Sequence, residues 1–447
     1  MKTNTLKFLL LLCSSVAIAQ AGHIMQGVGA VNMSMGGAST AQPLDISGTL
    51  QWNPAAISTF NDKIIKLDIG LFYSSPELYS TVPTPAGPFS GNTLDDRGVS
   101  PMPALAMVWG KEESKHTFGV SAFGISGFGV TFPENMTNPI SFPQSPNGDG
   151  GFGHIESDYM LLQVGLAYAY ELSDKFSIGI QPTINYAALE LAPNPLAAPD
   201  FPAMMGGTGK GYPTTDKASA IGYGAQFGLF FDSGFGLKLG ASYKTAQRFK
   251  EFEFKNTYLD GSQASDVNFQ MDYPAIMSLG LGYSEGDIDF AFDFRRVMYE
   301  DTEGFEASGW QFASNGFPTG AVNGFGWENI SILSVGLQYK GIDKLPLRVG
   351  YTYSSNPINE DLAFFSIPAT AIIKNAYQFG LSYEVSNNWK IDAVYHYGAS
   401  DGKTKGQILN PQFISPSNPN GAVPGTSVSY DMTTSMVMVG LSYTFNK

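Results

Sequence analysis

Four histidines, His23, His116, His154 and His396, and one cysteine, Cys13, are the residues best suited to hold a metal. No two of these histidines stand at a spacing that would aim both imidazoles at one ion. Cys13 falls inside the leader described below, so the remaining chain offers neither a thiolate nor a disulfide. No metal and no cofactor are expected. Asp289, Asp293 and Arg295 form an i, i+4, i+6 row. Paired carboxylates suit acid–base catalysis, but in an alternating segment such a row shares one face. A polar ladder bracing an interior is therefore the favoured reading. The glycines between Gly148 and Gly153 lie in a loop rather than between a strand and a helix, so they make no phosphate cradle. No enzyme is expected.

The elements that carry these residues alternate. In Met160 to Tyr170 one register is apolar, and the other holds Gln163, Gly165 and Ala167. Tyr377, Phe379, Leu381, Tyr383 and Val385 repeat the pattern, as do Val437, Val439, Leu441, Tyr443 and Phe445. Alternate residues of a strand face opposite sides. Ile288, Phe290, Phe292 and Phe294 are unbroken, while Asp287, Asp289, Asp293 and Arg295 keep to the other face. Lys238, Lys244, Arg348, Lys390 and Asp392 also avoid the apolar register. A soluble sandwich alternates too, but many of these segments reach about ten residues, the span of a tilted membrane strand. Tyr and Trp gather at segment ends, as interfacial girdles require.

Strands are predicted near 62–74, 100–110, 116–131, 158–172, 175–191, 217–232, 235–249, 267–285, 286–300, 326–340, 345–354, 373–386, 388–399 and 428–446. They number about 14, an even count as bacterial barrels have. Short turns such as Ser173-Asp174 and Glu285-Gly286 alternate with long connections such as 132–157 and 192–216, the pattern of periplasmic turns and external loops. The fold class expected is all-β: a transmembrane antiparallel barrel over residues 62–447.

Lys2 and Lys7 precede an apolar stretch, and Ala17-Ile18-Ala19 supplies small residues for cleavage, so residues 1–21 read as a signal peptide. No later run of about 18 apolar residues marks a membrane helix. The net charge of −14 argues against nucleic acid as a partner. The destination expected is the bacterial outer membrane. There the partners are outer-membrane lipid, lipopolysaccharide and the assembly machinery, and the chain is read as a monomer.

Residues 22–61 do not alternate and are rich in glycine and serine. They are either a periplasmic tail or a plug in the lumen. Met25, Val28, Met33, Met35, Leu50, Trp52 and Ile57 favour a packed plug.

This segment carries a resemblance. Gly27-Val28-Gly29, Met35-Gly36-Gly37-Ala38 and Gln51-Trp52-Asn53-Pro54-Ala55-Ala56-Ile57 resemble the N-terminal hatch of the FadL family, outer-membrane transporters of long-chain fatty acids and hydrocarbons. Gly119 to Gly124, Tyr273 to Tyr283, Asp293 to Tyr299 and Leu347 to Tyr351 fit family strands in the same order. The resemblance implies a 14-stranded barrel plugged by the hatch, with Gly27, Gly29, Asn53, Pro54 and Ala55 as its motif. It implies loop capture of a hydrophobic small molecule, a hatch shift and sideways exit at a kink in the third strand. Gly124, Gly127 and Gly129 are the matching positions, since strand glycines mark bends. The chain departs from the usual pattern by ending in Asn446-Lys447 after Phe445.

The loop composition points the same way. Leu189 to Met205 is apolar and proline-rich, and exposed apolar surface of that size marks a binding site. Leu196, Phe201, Met204 and Met205 are its capture candidates, with Phe364 and Phe365 from a second cluster; the alternative is loops capping the barrel. Arg248 and Lys250 at a strand top are candidates to meet a carboxylate, against simple solvation. Two other functions remain open: a general diffusion porin for polar solutes, and a surface adhesin or receptor anchored by its barrel.

Overall fold

The alternation of the sequence becomes the two faces of a closed wall. The computed structural model describes residues 22–148 and 150–445, so the leader assigned to residues 1–21 lies outside the described residues. Fourteen strands build the wall: β1 Lys63–Thr84, β2 Val99–Trp109, β3 His116–Phe132, β4 Ile155–Ser173, β5 Phe176–Ala192, β6 Ala218–Asp232 and β7 Leu237–Lys244. The second half comprises β8 Ala275–Glu285, β9 Ile288–Met298, β10 Ile330–Tyr339, β11 Leu347–Ser354, β12 Asn375–Glu384, β13 Trp389–Ala399 and β14 Ser427–Phe445. Each pairs antiparallel with the next, and β14 closes on β1 from Lys63↔Phe445 to Thr81↔Ser427. Closure leaves no free edge strand, which a hydrocarbon environment demands, apart from one gap between β2 and β3 described below. Among the described residues no helix is long and apolar enough to cross a membrane.

Strand β1 shows how facing is decided. Leu67, Ile69 and Leu71 are each more than half exposed and lie beside Leu441, Val439 and Val437 of β14. In the opposite register Lys66 and Asp68 are fully buried, pointing inward. A one-residue slip would turn both charges into lipid, at about 2–4 kcal/mol for a lysine near mid-membrane. Aromatic residues ring the ends, with Trp389 on Tyr443 at 4.7 Å and Tyr351 on Tyr377 at 5.3 Å.

Three strands differ from the sequence expectation by five residues or more. Strand β8 begins at Ala275 rather than near 267, because Val267–Phe269 pairs instead with Phe252–Phe254 in a loop hairpin outside the wall. Strand β1 runs on to Thr84 and pairs with a short strand, Gly87–Leu94. Above the apolar band its outward register turns polar, so the alternation that marks a strand fades while the ladder continues. Strand β7 stops at Lys244 rather than near 249. There the Gln247 amide turns inward and its Oε1 accepts from Asn185 Nδ2 at 2.9 Å, its backbone bridges Tyr273, and Arg248–Phe249 pairs again with β6.

Inside the wall lies the N-terminal segment. It forms α1 Ala30–Ser34, α2 Ile46–Trp52 and a 3-10 turn, Pro54–Thr59, with almost every residue from Gly22 to Ser58 buried. Helix α1 rests on β11 to β14, α2 on β1 to β3, and the turn on β3 to β6. Asp45 caps α2 by accepting from Gly48 N at 3.2 Å.

Candidate functional site

Two charged anchors hold the N-terminal segment to the wall. In the first, Lys66 Nζ meets Asp45 Oδ2 at 2.7 Å and Asp392 Oδ2 at 2.8 Å. Asp68 beside it accepts from Ala30 N at 2.9 Å and from Ser47 Oγ at 3.1 Å. In the second, Asp293 Oδ2 accepts from Ser39 N at 2.9 Å, Thr40 N at 3.0 Å and Thr40 Oγ1 at 2.8 Å. Arg295 pairs with Asp293, donates to Gly37 O at 2.7 Å and stacks 3.6 Å from the Trp52 ring centre. The Asp293–Arg295 row thus braces the segment; it forms no paired-carboxylate site with Asp289, which pairs instead with Lys340 at 3.0 Å.

The Asn-Pro-Ala motif is a third anchor. Asn53 Oδ1 accepts from Ala55 N at 3.1 Å, and its Nδ2 donates to Thr40 O at 2.8 Å and to Leu229 O of β6 at 2.9 Å. Pro54 opens the 3-10 turn, where its missing N–H loses nothing. The wall makes room with glycine: a Cβ on Gly228 would stand 2.1 Å from Asn53 Oδ1. Gly29 precedes α1 with φ +81°, and Gly27 packs against Asn32.

The wall is interrupted beside this segment. Strands β2 and β3 pair only from Ala104↔Phe123 down to Trp109↔Phe118. Above that, β2 carries Pro101 and Pro103, which have no N–H to give a ladder, and β3 bulges between Gly124 and Ser126. The N-terminal segment takes the vacant side. Met25 N donates to Ile125 O at 3.0 Å, Gly127 N to His23 O at 3.2 Å and Ser126 Oγ to His23 O at 2.8 Å. Gly124, Gly127 and Gly129 lie in the register opposite to buried Phe128 and Val130. At the loop end Asp96 N donates to Thr131 O at 2.8 Å, and Arg97 crosses Gly129 to reach Ser157 O at 2.7 Å and Asp158. Burial pushes the Asp95 carboxyl up to about 6, against the amides of Thr131 and Arg97 that donate to it.

Over the barrel the long loops enclose an apolar cavity of about 50 Å³, lined among others by Phe152, Tyr212, Trp310, Val322, Phe364 and Phe365. Of the predicted capture residues, Phe364 and Phe365 line it. Leu196 is buried nearby without lining it, Phe201 is half-buried, and Met204 and Met205 project into solvent, Met204 at 87% exposure. Arg248 pairs with Asp272 at 2.8 Å, and Lys250 is exposed; neither borders this cavity. A second cavity of about 640 Å³ opens at the short-turn end, bordered by Asp45, Thr59, Lys66, Glu384, Trp389 and Lys390.

Sequence reasoning passed over Pro101, Pro103, Arg97 and the place of His23. The prolines were visible as breaks in an alternating segment. His23 gave no signal, because the rings around it come from five distant parts of the chain.

A closed 14-stranded antiparallel barrel with a greasy exterior and ionised groups turned inward is an outer-membrane barrel of the transport class. The chain belongs to the family described as outer membrane protein transport protein (OMPP1/FadL/TodX), which matches residues 10–446. Members of this family are transport channels, not enzymes. Among solved structures the chain resembles the P. putida toluene transporter TodX at 17% identity and TM-score 0.67, covering 94% of this chain and 99% of that one. It resembles a Pseudomonas aeruginosa FadL homologue at 14% identity and TM-score 0.72, covering 95% and 100%. The Ralstonia pickettii toluene transporter TbuX gives 17% identity and TM-score 0.62 over 94% and 99%. These likenesses are of fold. No curated protein matches the sequence.

Proposed function

We propose that this barrel carries hydrophobic small molecules, hydrocarbons or long-chain fatty acids, inward across the outer membrane. Loop residues around Phe364 and Phe365 capture the ligand, the N-terminal segment acts as a hatch that shifts, and the ligand leaves sideways between β2 and β3. The observation that carries this reading is the unpaired stretch of wall occupied by His23 to Met25. Withdrawal of three residues would open a path from lumen to lipid without unfolding a strand. The drive is partition of apolar surface out of water, about 25 cal/mol per Å². A filled lumen disfavours a diffusion porin, and loops that turn aromatic rings inward disfavour an adhesin. The same reading makes residues 1–21 a cleaved signal, and the working unit a monomer set in lipid and lipopolysaccharide by the assembly machinery.

Gly124→Leu tests the exit. A Cβ there meets Met102 Cε at 3.6 Å, an ordinary contact, so the larger side chain fills the outer groove without forcing the strands. Uptake of toluene or a fluorescent fatty acid by proteoliposomes should slow at least about tenfold, and an unchanged rate refutes sideways exit. The cavity of about 640 Å³ at the short-turn end favours a second reading, release to the periplasmic side. That reading expects uptake to survive Gly124→Leu.

A further inference from the structure

His23 sits in a box of six aromatic rings. Its imidazole stacks on Phe305 at 4.9 Å and 21°, and Tyr299, Tyr273, Trp327, Tyr159 and Phe128 close the box at 5.4 to 6.3 Å between ring centres. Nδ1 lies 2.7 Å from Tyr299 Oη. Three more polar atoms in the box, His23 Nε2, Tyr159 Oη and Tyr273 Oη, are buried and have no hydrogen-bond partner. Buried polar atoms are nearly always bonded, so each orphan calls for an explanation. Burial pushes the imidazole pKa down to about 3, so the ring is neutral at ordinary pH.

The side chains that line the box are uncharged. Of the charged side chains beyond it, Asp272 is engaged with Arg248, and Arg295 with Asp293. The imidazole is held by backbone bonds of its own residue to β3, at the interrupted part of the wall. If that segment withdraws, the box keeps its rings and three clustered tyrosine hydroxyls.

We propose that this box is a ligand site, that His23 holds it in place of the ligand, and that it selects a planar ring bearing one uncharged hydrogen-bonding group. A phenol fits these terms: its ring replaces the imidazole on Phe305, and its hydroxyl replaces Nδ1 at Tyr299. A bare hydrocarbon of the same size leaves Tyr299 unpartnered as well, and sites built around a hydrogen bond discriminate strongly against ligands that lack it. The proposal rests on the transport reading for how the ligand arrives, but binding is measured without transport.

The test uses the full chain purified in detergent, with p-cresol and toluene as probes and calorimetry as readout. His23→Ala vacates the box. It should bind p-cresol at least about tenfold more tightly than toluene, and more tightly than the unaltered protein does. Adding Tyr299→Phe should bring p-cresol down to the toluene value. If alanine disrupts folding, His23→Asn, which keeps an acceptor within a smaller side chain, serves in its place. Equal affinities for p-cresol and toluene overturn the proposal, as does a preference that survives Tyr299→Phe. If Gly124→Leu blocks uptake while the two ligands bind equally, the exit reading stands and this one falls. Selective binding with uptake indifferent to Gly124→Leu gives the reverse.

Discussion

Replacing Asp293 with alanine should loosen the N-terminal segment without dismantling the barrel. The carboxylate accepts three hydrogen bonds from Ser39 and Thr40 and neutralises the buried Arg295. Removing one partner of a buried ion pair costs about 3–5 kcal/mol, because the other charge is left uncompensated. Arg295 faces the lumen, so water reaches it once the segment moves away. The penalty therefore falls on the seated arrangement and largely spares the released one. At about 1.4 kcal/mol per tenfold, the seated-to-released ratio should drop by roughly two to three and a half orders of magnitude. The remaining anchors at Lys66 and Asn53 are separate from this site, so the loss should not be total. Single-channel recording in planar bilayers reads the effect: brief large openings should become frequent in Asp293→Ala and rare in the unaltered protein. Heat-modifiable migration on gels checks that the variant barrel is folded. A folded Asp293→Ala barrel with unaltered conductance would refute the claim that this contact holds the plug.

Acid should also release the segment. The seated His23 takes a proton only near pH 3, while an exposed imidazole does so near 6.5, so the released state binds more protons between these values. Seating is then complete above about pH 6.5 and weakens about tenfold per unit below it, roughly thirtyfold at pH 5. Opening frequency should rise as pH falls from 7 to 5, and His23→Phe should remove that component; identical profiles for both proteins count against it. Ile69→Lys places a charge on the outward face of β1 and should lower unfolding stability in vesicles by about 2–4 kcal/mol, measured with denaturant; a loss below about 0.5 kcal/mol contradicts the outward facing. Phe364→Ala with Phe365→Ala should raise the ligand concentration for half-maximal uptake about tenfold and leave the maximal rate near normal, a split that transport assays resolve; no change in either would remove the loop cavity from the route.

Much of the wall was legible because strand facing is a local property. Leu67, Ile69 and Leu71 against Lys66 and Asp68 state their environment within six residues, and the same code repeats around the ring. Where the code weakens, the reading weakened with it. Strand β1 continues past its apolar band to Thr84, and β7 gives way where Gln247 turns inward. The Asn53-Pro54-Ala55 turn was visible as a motif, yet its bond to Leu229 joins residues 176 positions apart.

The sequence by itself determined the strand number, the two faces of each strand, the alternation of turns and loops, and the non-alternating character of residues 22–61. Only the tertiary structure decided that Asp293 grips Thr40, that β2 and β3 part above Ala104, and that His23 fills a box of rings reaching as far as Trp327. The reason is physical: solvent sorts side chains residue by residue along a strand, whereas partners across the lumen meet only once the ring has closed and fixed which positions stand opposite one another.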